Sequence, residues 1–195
     1  QNVPVQKPSL PRNHLLSGGF AQSQEIVMTI RTGELPPVVI PEVTTDAPRY
    51  YWRSTTYDIY VGAGWVTSSA PGQRYEANTP LIPGLLNGYK PLQLDVEMVE
   101  PEGKLFWSGV LFSADVPTRV DWRLRPQSNL FADQTSLLLA DMFVAASGAG
   151  SYQAASYVPL VTVEELRNVS TTYPEPIQDH YLKLPRSLPE RVLQL

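Results

Sequence analysis

Between Pro91 and Pro101, the apolar residues Leu92, Leu94, Val96 and Met98 alternate with Gln93, Asp95, Glu97 and Val99. A period of two held over such a run is that of a half-buried antiparallel strand, with apolar side chains inward and the others toward water. Thr118 to Arg125 repeats the pattern: Val120, Trp122 and Leu124 share one face, and Arg119, Asp121, Arg123 and Arg125 share another that is expected to be wet. Glu25 to Thr32 turns Ile26, Met28 and Ile30 inward, and Tyr50 to Val61 is a long aromatic and β-branched run suited to a pleated surface. Leu137 to Ala146 and Ser151 to Pro159 flank Ser147-Gly148-Ala149-Gly150, which reads as a hairpin with an apolar first strand. Shorter strands are expected at Gly64 to Thr67 and Lys104 to Leu111.

The connections Gly33 to Arg49 and Ser68 to Tyr89 are rich in proline and are expected to be surface loops or edge segments. Helical signals come only late, where Thr162 to Glu165 and Ser187 to Glu190 have capping-box spacing, the second with Pro189 in its first turn. Short strands, turns and few helices predict an all-β protein, a two-sheet β-sandwich of Ig-like or related barrel type with long Pro-rich loops. The sandwich domain is expected over residues 1–160, followed at 161–195 by a mixed helical and extended tail.

Composition narrows the chemistry. Proline is 19 of 195 residues, which argues against long helices. With 15 basic and 19 acidic side chains and a formal charge of −4, no general attraction to nucleic acid is expected. Cys is absent and His occurs only twice, as His14 and His180, which removes thiol catalysis, disulfides and His-rich metal sites; no cofactor is expected. The most apolar stretch, Leu137 to Ala146, contains Asp141 and is too short to cross a membrane. A chain that begins at Gln1 and stops at Leu195 within a helical pattern reads as a piece of something longer.

Each candidate motif has a plain structural account. Gly62-Ala63-Gly64 opens like a dinucleotide loop, but Thr67 stands where the third Gly belongs and no helix follows, so a tight turn is expected. Neither His14 nor His180 accompanies a nucleophile elbow. Asp95, Glu97 and Glu100 lie on or beside one strand and read as a solvated face rather than a glycosidase pair. The row Arg119, Arg123 and Arg125 is expected to pair across strands with those same carboxylates, Asp95, Glu97 and Glu100, the alternative being an anionic partner. Trp52, Trp65, Trp107 and Trp122 are expected mainly in the core, the alternative being a sugar-stacking platform, and Asn168-Val169-Ser170 matches a glycosylation sequon.

The segment Tyr50 to Trp65, YYWRSTTYDIYVGAGW, resembles the Tyr-Trp-Arg, Tyr-Asp-x-Tyr, Gly-x-Gly-Trp signature of the extracytoplasmic region that precedes the transglutaminase-like domain in bacterial membrane proteins. Leu16 to Phe20 with Glu25 to Thr32 looks like the start of that region, and Tyr181 to Leu195 looks like its exit. The resemblance marks Trp52, Arg53, Tyr57, Asp58, Gly62, Gly64 and Trp65 as structural signature residues, and Tyr181, Leu182, Leu184, Leu188 and Val192 as the junction with the next domain. It implies a noncatalytic module held outside the membrane by helices of its parent chain, supporting or orienting a papain-like domain with a Cys-His-Asp triad that lies beyond this chain. No residue of that triad is present here. The alternative function is a binding module that presents cell-wall peptide or glycan through exposed aromatics.

Overall fold

The computed structural model describes residues 13–15, 24–34, 39–40, 43–44, 50–62, 64–84, 87–126, 140–183, 189 and 191. Among them the strands are β1 Asn13–Leu15, β2 Met28–Arg31, β3 Val39–Ile40, β4 Val43–Thr44, β5 Trp52–Arg53, β6 Ile59–Tyr60, β7 Gly64–Val66, β8 Gly72–Tyr75, β9 Tyr89–Met98, β10 Trp107–Ser108, β11 Val110–Ala114, β12 Thr118–Leu124, β13 Asp141–Ala146 and β14 Ser151–Pro159. Two short helices follow, α1 Val163–Asn168 and α2 Glu175–Tyr181. The protein is all-β, with every strand pair antiparallel and the sheets small: β11-β14-β9-β2, β13-β12-β8, β1-β7-β6, β10-β5 and β3-β4.

β9 is the axis of the four-stranded sheet. Leu92, Leu94, Val96 and Met98 are buried while Gln93, Asp95 and Glu97 face water, as their alternation requires. The strand begins at Tyr89 and runs through Pro91, a residue without an amide hydrogen. This is tolerated because β2 pairs only with residues 95–98, so among the described residues no strand pairs with that side of β9 at Pro91. β2 is shorter than expected, and Ile26 is exposed rather than inward.

In β12 the simple alternation fails. Asp121 pairs with Val144, Trp122 with Met142 and Leu124 with Asp141, which leaves Phe143 and then Arg123 without a partner across the ladder. Such bulges re-aim side chains. Trp122 stays buried, but Leu124 is 44% exposed, Asp121 is buried, and the Arg123 side chain is only 2% exposed instead of wet.

Two other expectations are corrected. Tyr50 to Val61 is not one strand: β5 pairs with β10, β6 pairs with β7, and Thr55 makes an isolated bridge to Val144. The expected hairpin across residues 147–150 does not form either, because β13 joins β12 whereas β14 lies between β9 and β11. The part of that segment before Ala140 lies outside the described residues.

One core cluster joins these sheets, with Leu94, Val96 and Leu111 from the first and Val120 and Trp122 from the second packed with Leu105 and Trp107. The chain passes from β10 to β11 at Gly109, whose φ is +66°. A Cβ there would lie 2.1 Å from the Tyr157 carbonyl oxygen, so only glycine fits.

α1 begins as its sequence spacing predicts: Thr162 Oγ1 accepts from the Glu165 amide at 3.2 Å, and the Thr162 amide donates to the Glu165 carboxylate at 2.8 Å. α2 was not expected from the sequence. It starts after Pro174 with Glu175 and a proline in its first turn, a favourable way to begin a helix. The expected capped start at Ser187 lies outside the described residues.

Candidate functional site

The signature segment is fixed to the sheets by side chains more than by strand pairing. At its start, Lys90 of β9 donates to Tyr50 Oη at 2.9 Å and to Glu34 Oε1 at 2.8 Å. The Arg53 guanidinium donates to the Gly109 carbonyl and lies 5.4 Å from the centre of the buried Trp107 ring. In the middle, the Thr56 amide donates to the Phe143 carbonyl at 3.0 Å, its hydroxyl donates to the Met142 carbonyl at 2.7 Å, and Tyr57 meets Phe143 edge-on. Burial pushes the Tyr57 phenol above its ordinary value. Beyond it, Val61 donates to Gly64 at 2.9 Å across a turn in which Gly62 takes φ +82°, and Trp65 packs on Tyr60 at 5.1 Å.

Behind this segment sits a buried polar cluster centred on Arg123. Its Nε and Nη2 grip Asp141 with two hydrogen bonds of 2.7 Å, the two-pronged geometry that suits guanidinium and carboxylate. Nη1 donates to the Thr56 carbonyl at 2.8 Å and to Thr67 Oγ1 at 2.9 Å, and Nη2 also donates to Thr56 Oγ1 at 2.6 Å. All five N–H groups are thus used. Asp58, whose side chain is fully buried, lies 3.8 Å from Nη1 and accepts from the Ser68 amide at 2.9 Å and the Ser68 hydroxyl at 2.6 Å.

The tail enters the same cluster. Tyr181, the last residue of α2, donates its hydroxyl to Asp141 Oδ2 at 2.6 Å and lies 3.1 Å from Arg123 Nη2. Burial first, and then the hydrogen bond to Asp141, push the Tyr181 phenol up to about 12. Burial alone would lower the Arg123 guanidinium; its hydrogen bonds to Asp141 outweigh this and hold it above its ordinary value. Asp141 and Tyr181 also act through space on Arg53, so two arginines and two aspartates share this region.

The structure therefore brings Asp58 and Tyr181 together through Arg123 and Asp141, while Trp52, Gly62 and Trp65 shape the outer surface and Gly64 is buried at the start of β7. Trp52 and Trp65 are each 37% exposed and Tyr51 is 93% exposed, so the segment keeps aromatic surface open to solvent. Trp107 and Trp122 are buried, which breaks any four-tryptophan platform. Leu182 stands half exposed, and Leu184, Leu188 and Val192 lie outside the described residues, as do the side chains of His14 and His180. Arg123 and Asp141 were not marked as site residues by sequence reasoning. The available signal was Asp141, the one charge inside the most apolar stretch of the chain.

Chemically the cluster is a clamp. Its guanidinium is saturated, its Asp141 carboxylate accepts from two partners, and the described residues around it offer no thiol and no imidazole. Among the described residues no group of three or more His, Cys, Asp or Glu converges to hold a metal ion, and no helix is long and apolar enough to cross a membrane. Comparison of the chain with protein-family models, with curated proteins and with solved structures finds no match.

Proposed function

We propose that this chain is a noncatalytic extracytoplasmic module of a bacterial transglutaminase-like membrane protein, in which it supports or orients a neighbouring papain-like domain of the same chain. Its two larger sheets, β11-β14-β9-β2 and β13-β12-β8, form a β-sandwich in this reading, since both feed one core. The observation that carries the functional reading is the Tyr181 clamp. A tail fastened to a largely buried Arg–Asp pair passes on a fixed direction, whereas a flexible linker would be rich in Gly and Ser and have no anchoring side chain. The absence of Cys places the nucleophile of such a protein elsewhere.

The test is an amine-incorporation and peptidase assay on this chain and on the parent chain extended past Leu195. The expected result is no turnover by the first, and turnover by the second that depends on a downstream Cys. Turnover by the purified chain, or an extension without a Cys, His and Asp set, overturns the reading.

A second reading, a module that presents cell-wall peptide or glycan, is favoured by the exposure of Tyr51, Trp52 and Trp65. Cosedimentation with peptidoglycan that is lost in the Tyr51→Ala, Trp65→Ala double variant would support it, and absence of cosedimentation by the unaltered chain excludes it.

A further inference from the structure

The edge strand β8 carries a groove unconnected with the clamp. Gln73 and Tyr75 alternate onto one face of β8, opposite Val120 and Thr118 of β12, which are both buried. That face turns toward the core, and Tyr75 packs against it. Leu81 and Ile82, almost completely buried, close the floor, and the loop bearing them is pinned where the Leu81 amide donates to the Phe112 carbonyl at 2.7 Å. Arg125, just past the end of β12, completes an opening of about 500 Å³ whose other described lining residues are three prolines. This volume falls within the range of about 300–1,000 Å³ usual for small-molecule sites.

The polar groups at this opening are all donors with capacity to spare. Arg125 makes no hydrogen bond or ion pair with any described residue, and none of the described residues that line the groove is acidic. Tyr75 Oη accepts from Trp122 Nε1 at 3.1 Å, which leaves its own hydrogen to give. Gln73 adds an amide. One cation with two neutral donors matches a monoanion better than a phosphate dianion, and the apolar floor needs an apolar body attached to that anion. The proline walls lower the ordering cost of binding.

We propose that this groove binds a carboxylate carried on an apolar body, with Arg125 gripping the carboxylate, Tyr75 and Gln73 donating to it, and Leu81 and Ile82 beneath the apolar part. A free alkanoic acid and the C-terminus of a peptide share that chemistry.

The Trp122 indole N–H reports occupancy, because an acceptor on the Tyr75 hydroxyl strengthens the Nε1–H···Oη bond behind it. The experiment follows the Trp122 indole resonance of the ¹⁵N-labelled chain, assigned by through-bond correlation, while octanoate, octanamide, N-acetyl-Leu-Leu and its C-terminal amide are added in turn. The expected result is a saturable shift with at least one acid, with Kd on the order of 1 mM or tighter. The matching amide should give none, and binding should weaken at least about tenfold in Arg125→Gln and measurably in Gln73→Leu. Tighter binding of the dipeptide acid identifies a chain terminus as the occupant; tighter binding of octanoate identifies a free acid. Both variants alter exposed side chains, and an otherwise unchanged amide spectrum verifies their fold. No saturable shift, equal shifts by acid and amide, or undiminished binding in Arg125→Gln overturns the proposal.

Discussion

The Tyr181 hydroxyl donates to Asp141 Oδ2 at 2.6 Å, joining the end of a tail helix to the first residue of β13. Asp141 is itself held by Arg123, so the phenol docks against a carboxylate that is already immobile. The helix α2 is too short to be stable alone, and this contact gives it a partner.

Tyr181→Phe should therefore loosen the tail without disturbing the sheets. A hydrogen bond to a charged group is worth about 1.5–3 kcal/mol, and the aromatic ring that remains keeps its packing. Amide exchange should accelerate across Glu175–Tyr181 and stay unchanged in β9 and β14. Equal protection in the variant and the parent would show that the hydroxyl fastens nothing.

The same contact has a signature in base. Tyr181 titrates near 12 when folded, above its ordinary value of 10, because burial and then Asp141 favour its protonated form. A raised folded value means the contribution is complete below about pH 10 and is lost as pH climbs through about 12. Tyr152, which burial also pushes up to about 12, weakens both proteins in that window, so the difference between them isolates Tyr181. The stability gap between the wild type and Tyr181→Phe in urea should be constant below about pH 10 and close above it. A gap that persists at the highest pH counts against the contact.

Arg123→Met should be among the most damaging changes in the chain. It leaves the buried Asp58 and the partly buried Asp141 without their cation, a situation that costs about 3–5 kcal/mol for a buried pair. Arg123→Lys should recover little, since a point charge cannot serve the two-pronged Asp141 contact and both threonines together. Arg123→Met combined with Asp141→Leu should lose less than the sum of the single losses, measured as urea midpoints. Strict additivity would show that the two residues act independently.

Trp122→Ala should cost about 3–5 kcal/mol, because it opens a cavity where both larger sheets meet and removes the indole partner of Tyr75. Thermal or urea denaturation reads the loss, and an unchanged midpoint would contradict the burial of this side chain.

The sequence was most legible where one rule acted alone. β9 has a buried face and a wet face, so Leu92 to Met98 announce themselves by period two. β12 has the same pattern on paper, yet two register shifts turn Arg123 inward and Leu124 outward, and a bulge leaves no mark in hydrophobic periodicity. The segment from Tyr50 to Val61 reads as one strand because it is aromatic and β-branched. Its backbone instead leaves the ladder around Thr56, which satisfies its amide and hydroxyl on β13 carbonyls. In the tail, Pro174 and Pro176 give no periodic signal for a helix, although a proline in the first turn is what a helix start accepts. Asp141 was the visible clue to the clamp, but its partner could not be read without the bulge that delivers it.

The passage from β13 to β14 across residues 147–150 carries the chain from one sheet into another instead of closing a hairpin. Folding is thereby denied an early local nucleus at that point. β14 settles between β9 and β11, both well back in sequence, and β13 settles against β12, so loop closures must precede any reward from pairing. The expected kinetic character is slow, late closure of the core, with substitutions in the 147–150 crossover changing the rate of unfolding far more than the rate of folding.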